Sequence, residues 1–314
     1  MNAWIRSILM PVQGTAYAGR VDQLYLFLVY LSAFFFLLVA GLTGLFVIRY
    51  RRRGPADRTP HLTHHHGLEA AWTLIPLALV LFIFFWGFHS YMDLNVAPGD
   101  ALEIQVTAKK WLWQFEYPNG VRTINELHVP LGKPVRLVMT SEDVIHGFFV
   151  PSFRIKQDVV PNTYTQVWFE ATVPGMHQLE CTQYCGQGHS TMLAKIFVDD
   201  QKKYDDWLAT GGDIGKNMPL AQFGALLYDT HGCRTCHSLD GTRGQAPSFK
   251  GIWGRPVKLS DGRSVMVDEN YVRESILLPQ AKIVAGFEPI MPTFQGILRE
   301  REIQALVEFV KAQK

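Results

Sequence analysis

The sequence predicts a membrane protein with two modules outside the bilayer, one all-β and one all-α. Three observations carry this reading. Two long apolar runs free of charge lie near the N-terminus, residues 101–198 alternate apolar and polar with a period of two, and residues 220–314 return to helical spacing around a pair of cysteines. The chain has 314 residues, 48% hydrophobic and 12% aromatic, which is length and apolar content enough for roughly two buried cores beside a membrane part. A net charge of only +2 leaves no global basic field to attract nucleic acid, and that class of function is excluded.

Leu24–Ile48 and Ala70–Phe88 carry no charged residue, and each is long enough to cross a hydrocarbon core of about 30 Å as a helix. Both are apolar on every face, which separates them from amphipathic helices of a soluble core. Pro76 falls inside the second, where a transmembrane helix tolerates it. Residues 1–20 lack the continuous apolar stretch of a signal peptide. The connection "RYRRRGPADR" holds Arg49, Arg51, Arg52, Arg53 and Arg58, against only Arg6 and Arg20 before the first helix, so the connection is expected on the cytoplasmic side. Both chain ends, and everything after residue 90, are then expected outside a bacterial cytoplasmic membrane. His64, His65 and His66 read as part of a solvated loop.

In the period-two region, "ALEIQV", "WLWQFEY", "PVRLVMT", "TYTQVWFEA" and "AKIFV" read as strands of a small antiparallel sandwich or barrel, divided by turns such as "YPNG". Just before the last strand comes "CTQYCGQGHSTM", residues 181–192, with two of the four cysteines of the chain. The spacing is not that of a zinc site, and zinc does not use a thioether. Thiolates, an imidazole and a methionine sulfur suit copper. A disulfide between Cys181 and Cys185 in an exported domain is the alternative. His146, in "DVIHGF", can meet the cluster across one end of the sandwich. A blue-copper site needs one thiolate; here two can bridge two coppers, with His146 and His189 as terminal ligands, Met192 on one metal and a backbone carbonyl between the cysteines on the other.

Residues 199–219 are polar, contain a Gly-Gly pair, and read as a short amphipathic piece and a linker. Cys233, Cys236 and His237 then form CxxCH, the attachment motif of c-type haem; a zinc ribbon would need a second cysteine pair. Flanking helical patterns, the last with Ile303, Leu306, Val307 and Val310 on one face, give the order of a small cytochrome c. Among Met218, Met266 and Met291, the last is held between Pro289 and Pro292 just ahead of the final helix and is the expected second axial ligand.

On these residues the chain resembles subunit II of a haem–copper cytochrome c oxidase with a fused cytochrome c, the caa3 type. The match extends to "LEAAWTLIP" in the second helix, the aromatic strand "KKWLWQFEY", and "SEDVIHGFFVP". The resemblance implies a two-helix transmembrane hairpin, a cupredoxin-like all-β barrel holding the dinuclear copper centre CuA, and an all-α class I cytochrome c domain. Its ranges are an external segment at 1–23, the hairpin at 24–92, the copper domain at 93–200, a linker at 201–219 and the cytochrome at 220–314. It implies His146, Cys181, Cys185, His189 and Met192 as side-chain ligands, the carbonyl of Gln183 as the sixth, Trp111 as an electron relay, and Glu69 beside a proton-uptake entrance. Where the family often has Glu, this chain has Gln183, so magnesium is left unassigned. Leu112 stands where Tyr is common.

The implied partners are subunit I, subunit III, membrane lipid, and a donor that is cytochrome c or an upstream respiratory complex. Oxygen reduction would need haem and copper ligands inside the membrane, and the apolar runs have only His89 just past the second, so that chemistry is expected in subunit I. A tethered copper carrier would leave the haem without purpose; a nitric oxide reductase subunit would fit the same residues with another partner. With a linker of roughly twenty residues, the cytochrome is expected to meet the copper domain at millimolar effective concentration.

Overall fold

The computed structural model describes residues 10–54, 63–210, 215 and 217–313. Arg6, Arg58 and part of the expected linker lie outside them. Tyr17–Val96 form one compact unit; the chain up to Ala16 and from Ala97 onward forms another.

The first unit is a pair of helices, α1 (Ala18–Arg49) and α2 (His66–Asn95), each extending several residues beyond its apolar run. Mean hydropathies of 2.5 and 2.2, in apolar windows that no protein buries, are those of membrane spans. They run antiparallel: Arg20 pairs with Asp93 at 2.8 Å, and Phe27 packs on Phe82 and Trp86. At the start of α2 the His65 ring accepts the Leu68 N–H at 3.1 Å, and Glu69 accepts the His65 N–H at 2.9 Å, so both ends of the cap are satisfied.

Among the described residues of the second unit, two five-stranded sheets form a cupredoxin-like sandwich. One has the order β3-β2-β1-β5-β8 and the other β4-β10-β9-β6-β7. The strands are β1 (Leu102–Lys109), β2 (Leu112–Glu116), β3 (Arg122–Ile124), β4 (Glu126–Pro130), β5 (Pro134–Ser141), β6 (His146–Val150), β7 (Ile155–Val159), β8 (Thr165–Glu170), β9 (Gly175–Cys181) and β10 (Leu193–Asp199). The expectation of an antiparallel sandwich needs correction, because β1–β5 and β4–β10 are parallel pairs. Alternation reports which face a residue takes and carries no strand direction; the crossovers that return β5 and β10 alongside earlier strands decide that. Trp113, Phe115, Phe148, Phe153 and Phe169 fill the space between the sheets.

Two flanking segments belong to this sandwich. Ahead of α1, the Gly14 N–H donates to Ser152 O and the Thr172 N–H to Gly14 O, and Thr15 bridges Ala171. The short amphipathic piece expected at the start of residues 199–219 is a helix: α3 (Gln201–Ala209), capped by Asp200, buries Tyr204 and stacks Trp207 on His128 with ring centroids 4.2 Å apart. Its polar composition concealed two aromatic anchors on one helical face.

The C-terminal module holds α4 (Leu220–Thr230), a tight turn at Cys233–Thr235, the hairpin β11 (Pro256–Lys258) and β12 (Ser264–Met266), α5 (Glu269–Leu277) and α6 (Glu300–Ala312). The small hairpin qualifies the all-α expectation. Helices α4 and α6 cross closely at Gly224. Ile303, Leu306, Val307 and Val310 are buried as their spacing predicts. Two residues of the sandwich, Leu112 on β2 and Ile124 on β3, are buried in this module's core with Phe223, Leu227 and Ile303.

Candidate functional site

The residues quoted from distant parts of the sequence converge at one end of the sandwich. Strand β9 ends at Cys181 and β6 begins at His146; the two strands are neighbours, and this brings the ring and the thiol together. Cys181 Sγ lies 3.9 Å from His146 Nδ1, 3.8 Å from Cys185 Sγ and 3.3 Å from Gln183 O. Cys185 Sγ lies 3.6 Å from His189 Nδ1 and 3.8 Å from Met192 Sδ. Both cysteines are free thiols, which sets aside the disulfide alternative. Donor atoms of His146, Cys181 and Cys185 all lie within 4.8 Å of one another.

Asp143, three residues before His146, was not singled out from the sequence. Its carboxylate accepts from His146 Nε2 at 2.8 Å, so Nε2 carries the proton and Nδ1 is left with a lone pair toward the sulfurs. The same carboxylate accepts the Lys110 N–H at 2.8 Å, which ties the aromatic strand to the site. Burial disfavours the charged form of both thiols. At Cys181, the contact with the His146 ring and bonds from backbone N–H groups overcome this and lower the pKa, whereas at Cys185 burial and the neighbouring Cys181 charge raise it. A bound cation would favour both thiolates, and sulfur with imidazole is a donor set that suits a soft metal ion.

Trp111 closes the site from the side. Its indole N–H donates to Cys185 O at 3.0 Å, and its ring lies against the loop at Gly186 and Gly188. At Gly188 a Cβ would come within 2.4 Å of the ring, so "CGQGH" owes its second glycine to the tryptophan. Gln183 turns its side-chain amide to Asp158, 2.9 Å away.

An apolar cleft in the C-terminal module is lined by Cys233, Cys236, His237 and Met291, and also by Trp111 and Leu112 of the sandwich. Cys233 and Cys236 are free. His237 Nδ1 lies 2.7 Å from Pro247 O, a group that only accepts, so Nδ1 carries the proton and Nε2 is free to bind a metal. Burial lowers the His237 pKa, partly offset by that bond, and the ring stacks on Phe249 at 4.4 Å. These residues fit a covalent haem with a histidine axial ligand. Met266 is 52% and Met218 37% exposed, and neither lines the cleft. Glu69 belongs to the helical unit, at the start of α2, beside His65 and His66.

A membrane-anchored sandwich with a His/Cys/Met cluster, joined to a CxxCH module with an apolar cleft at the motif, defines an electron-transfer protein of the respiratory kind. Three family profiles match: "Cytochrome C oxidase subunit II, transmembrane domain" at residues 3–90, "Cytochrome C oxidase subunit II, periplasmic domain" at 120–198, and "Cytochrome c" at 221–314. Cytochrome c oxidase subunit 2 of Alkalihalophilus pseudofirmus is 29% identical over 88% of this chain and 82% of its own. That of a Synechocystis species is 30% identical over 64% of this chain and 75% of its own. The crystal structure of the periplasmic domain of subunit II of a Bradyrhizobium japonicum cytochrome oxidase is 31% identical over 37% of this chain and 96% of its own, with a TM-score of 0.36. The chain belongs to the cytochrome c oxidase subunit II family and carries a fused cytochrome c domain. It is an electron-transfer subunit of a terminal haem–copper oxidase, and associates with subunit I.

Proposed function

We propose that His146, Cys181, Cys185, His189 and Met192, with the carbonyl of Gln183, hold the dinuclear CuA centre. Cys233 and Cys236 would attach haem c, and His237 and Met291 would hold its iron. When bound, the two groups are one-electron carriers. The convergence of two thiols, two imidazoles and a thioether in one cluster, buried except for the half-buried His189, supports this reading above all. Asp143 holds His146 in the tautomer that binds, and Pro247 does the same for His237.

Electrons from an external donor, a cytochrome c or an upstream complex, are received at the haem cleft. Trp111 touches both that cleft and the copper loop, and forms the relay between them. They leave on the His189 side toward subunit I, where oxygen is reduced to water; subunit III completes the complex. The segment before α1 is bonded to the same sandwich that follows α2, which supports a hairpin with both ends and both redox modules on the outer side and the arginine-rich connection on the cytoplasmic side. Gln183, a neutral amide already paired with Asp158, gives no support to magnesium. Glu69 at the cytoplasmic end of α2 is assigned to the proton-uptake entrance.

Cys185→Ser tests the copper assignment. The mixed-valence signal of the two-copper centre is expected to vanish in electron paramagnetic resonance while the haem spectrum persists, because the two sites share no ligand. A full two-copper signal in that variant overturns the assignment.

A further inference from the structure

Asn125, between β3 and β4, is the buried residue that joins the copper loop, the aromatic strand and the haem motif. It is 9% exposed and holds φ at 55°, a left-handed conformation unfavourable to residues with a side chain and least so for Asn. Every polar group it has is used. Its N–H donates to Trp113 O at 2.8 Å and its side-chain oxygen accepts the Trp113 N–H at 2.8 Å, two residues from Trp111. Its carbonyl accepts the Lys195 N–H at 2.9 Å, on the strand that leaves the copper loop three residues after Met192. Its side-chain NH2 donates to Thr230 O at 3.2 Å, at the end of α4 and three residues before Cys233. Gly232 follows in the left-handed region at φ 76°, a conformation that favours glycine, with its backbone beside the Asn125 amide nitrogen.

Resting on the copper and haem assignments above, we propose that Asn125 is a positioning residue for electron transfer between the two centres. It touches neither set of ligands. Its amide fixes the turn that carries Cys233 and His237 against β2, which Trp111 immediately precedes, and so sets the gap the electron crosses.

Asn125→Asp separates this role from a general one. It keeps the acceptor for the Trp113 N–H and the tolerance of positive φ, and replaces the donor to Thr230 O by an oxygen. Asn125→Gly, which removes both side-chain bonds and leaves the backbone turn, serves as the second variant if the first does not fold. Both would be measured in the full chain assembled in its oxidase. In Asn125→Asp, the optical and magnetic signals of each centre are expected to stay intact. Hydrogen exchange of the Thr230–His237 backbone is expected to speed up about fivefold, the factor that goes with one ordinary hydrogen bond. After photochemical injection of an electron into the haem, transfer to copper is expected to slow, with both midpoint potentials unchanged. A wild-type transfer rate in both variants overturns the proposal, even where thermal stability falls. Loss of either centre's signal already in the unsubstituted protein would instead undermine the cofactor assignments on which the proposal rests.

Discussion

Met291 and Met266 differ in what surrounds the sulfur. Met291 lines the apolar cleft with His237, whereas Met266 sits on an exposed strand. A thioether ligand favours the ferrous state, so Met291→Ala is expected to lower the haem midpoint potential by on the order of 100 mV, a part of the ~0.8 V range that axial ligands command. Met266→Ala should leave it unchanged, and redox titration of the two variants decides between them. Gly188 offers a second test at this scale. An added methyl would meet three atoms of the Trp111 ring at 2.4–2.7 Å, and the ring is held by its bond to Cys185 O. Gly188→Ala is expected to displace the indole, cost about 1–3 kcal/mol in stability, and perturb the copper spectrum. Unchanged thermal unfolding together with an unchanged near-infrared copper band would contradict the packing described.

At the scale of elements, the crossing of α4 over α6 depends on one missing side chain. A Cβ at Gly224 would lie 2.0 Å from Ala305 O and 2.6 Å from Phe309 Cβ, and backbone cannot step aside as a flexible side chain can. Gly224→Ala should push the helices apart and destabilise the cytochrome module by about 1–3 kcal/mol or more, seen as a lower unfolding temperature at the haem absorption band. The helical spacing of Ile303, Leu306, Val307 and Val310 predicts α6 and its buried face. Nothing in spacing shows which neighbour that face meets. The same holds for α3: its aromatic residues are visible in the sequence, but their fit against Tyr117 and His128 is a matter of strand placement.

For the whole molecule, the cytochrome expected to meet the copper domain through a linker of roughly twenty residues is packed directly on the sandwich. Leu112 and Ile124 are buried in the cytochrome core, Arg122 donates to Gly296 O at 3.0 Å, and the first half of the supposed linker is packed on the sandwich. Haem-to-copper transfer within the assembled enzyme is therefore expected to be independent of enzyme concentration and nearly insensitive to salt, unlike an encounter guided by long-range charge. Rapid mixing over a range of concentrations and ionic strengths checks this; a rate rising in proportion to concentration would contradict it.

What the sequence determined by itself follows from local chemistry. Apolar runs without charge must become spanning helices, a CxxCH motif brings its thiols and imidazole together within one turn, and CxxxC with His189 and Met192 places four donors on a single loop. What only the tertiary structure decided depends on groups far apart in the chain. Asp143 is three residues from His146, yet its bond to Lys110 depends on the pairing of β1 with β5. Leu112 reads as one more residue of an aromatic strand until its neighbour is known, because alternation shows that Trp113 and Leu112 face opposite ways and leaves open what lies on the outer side. The parallel strand pairs, the packed α3 and the place of Asn125 between three segments share that origin: each is settled by long-range contact, and a one-dimensional pattern carries the periodicity of an element without the identity of its partner.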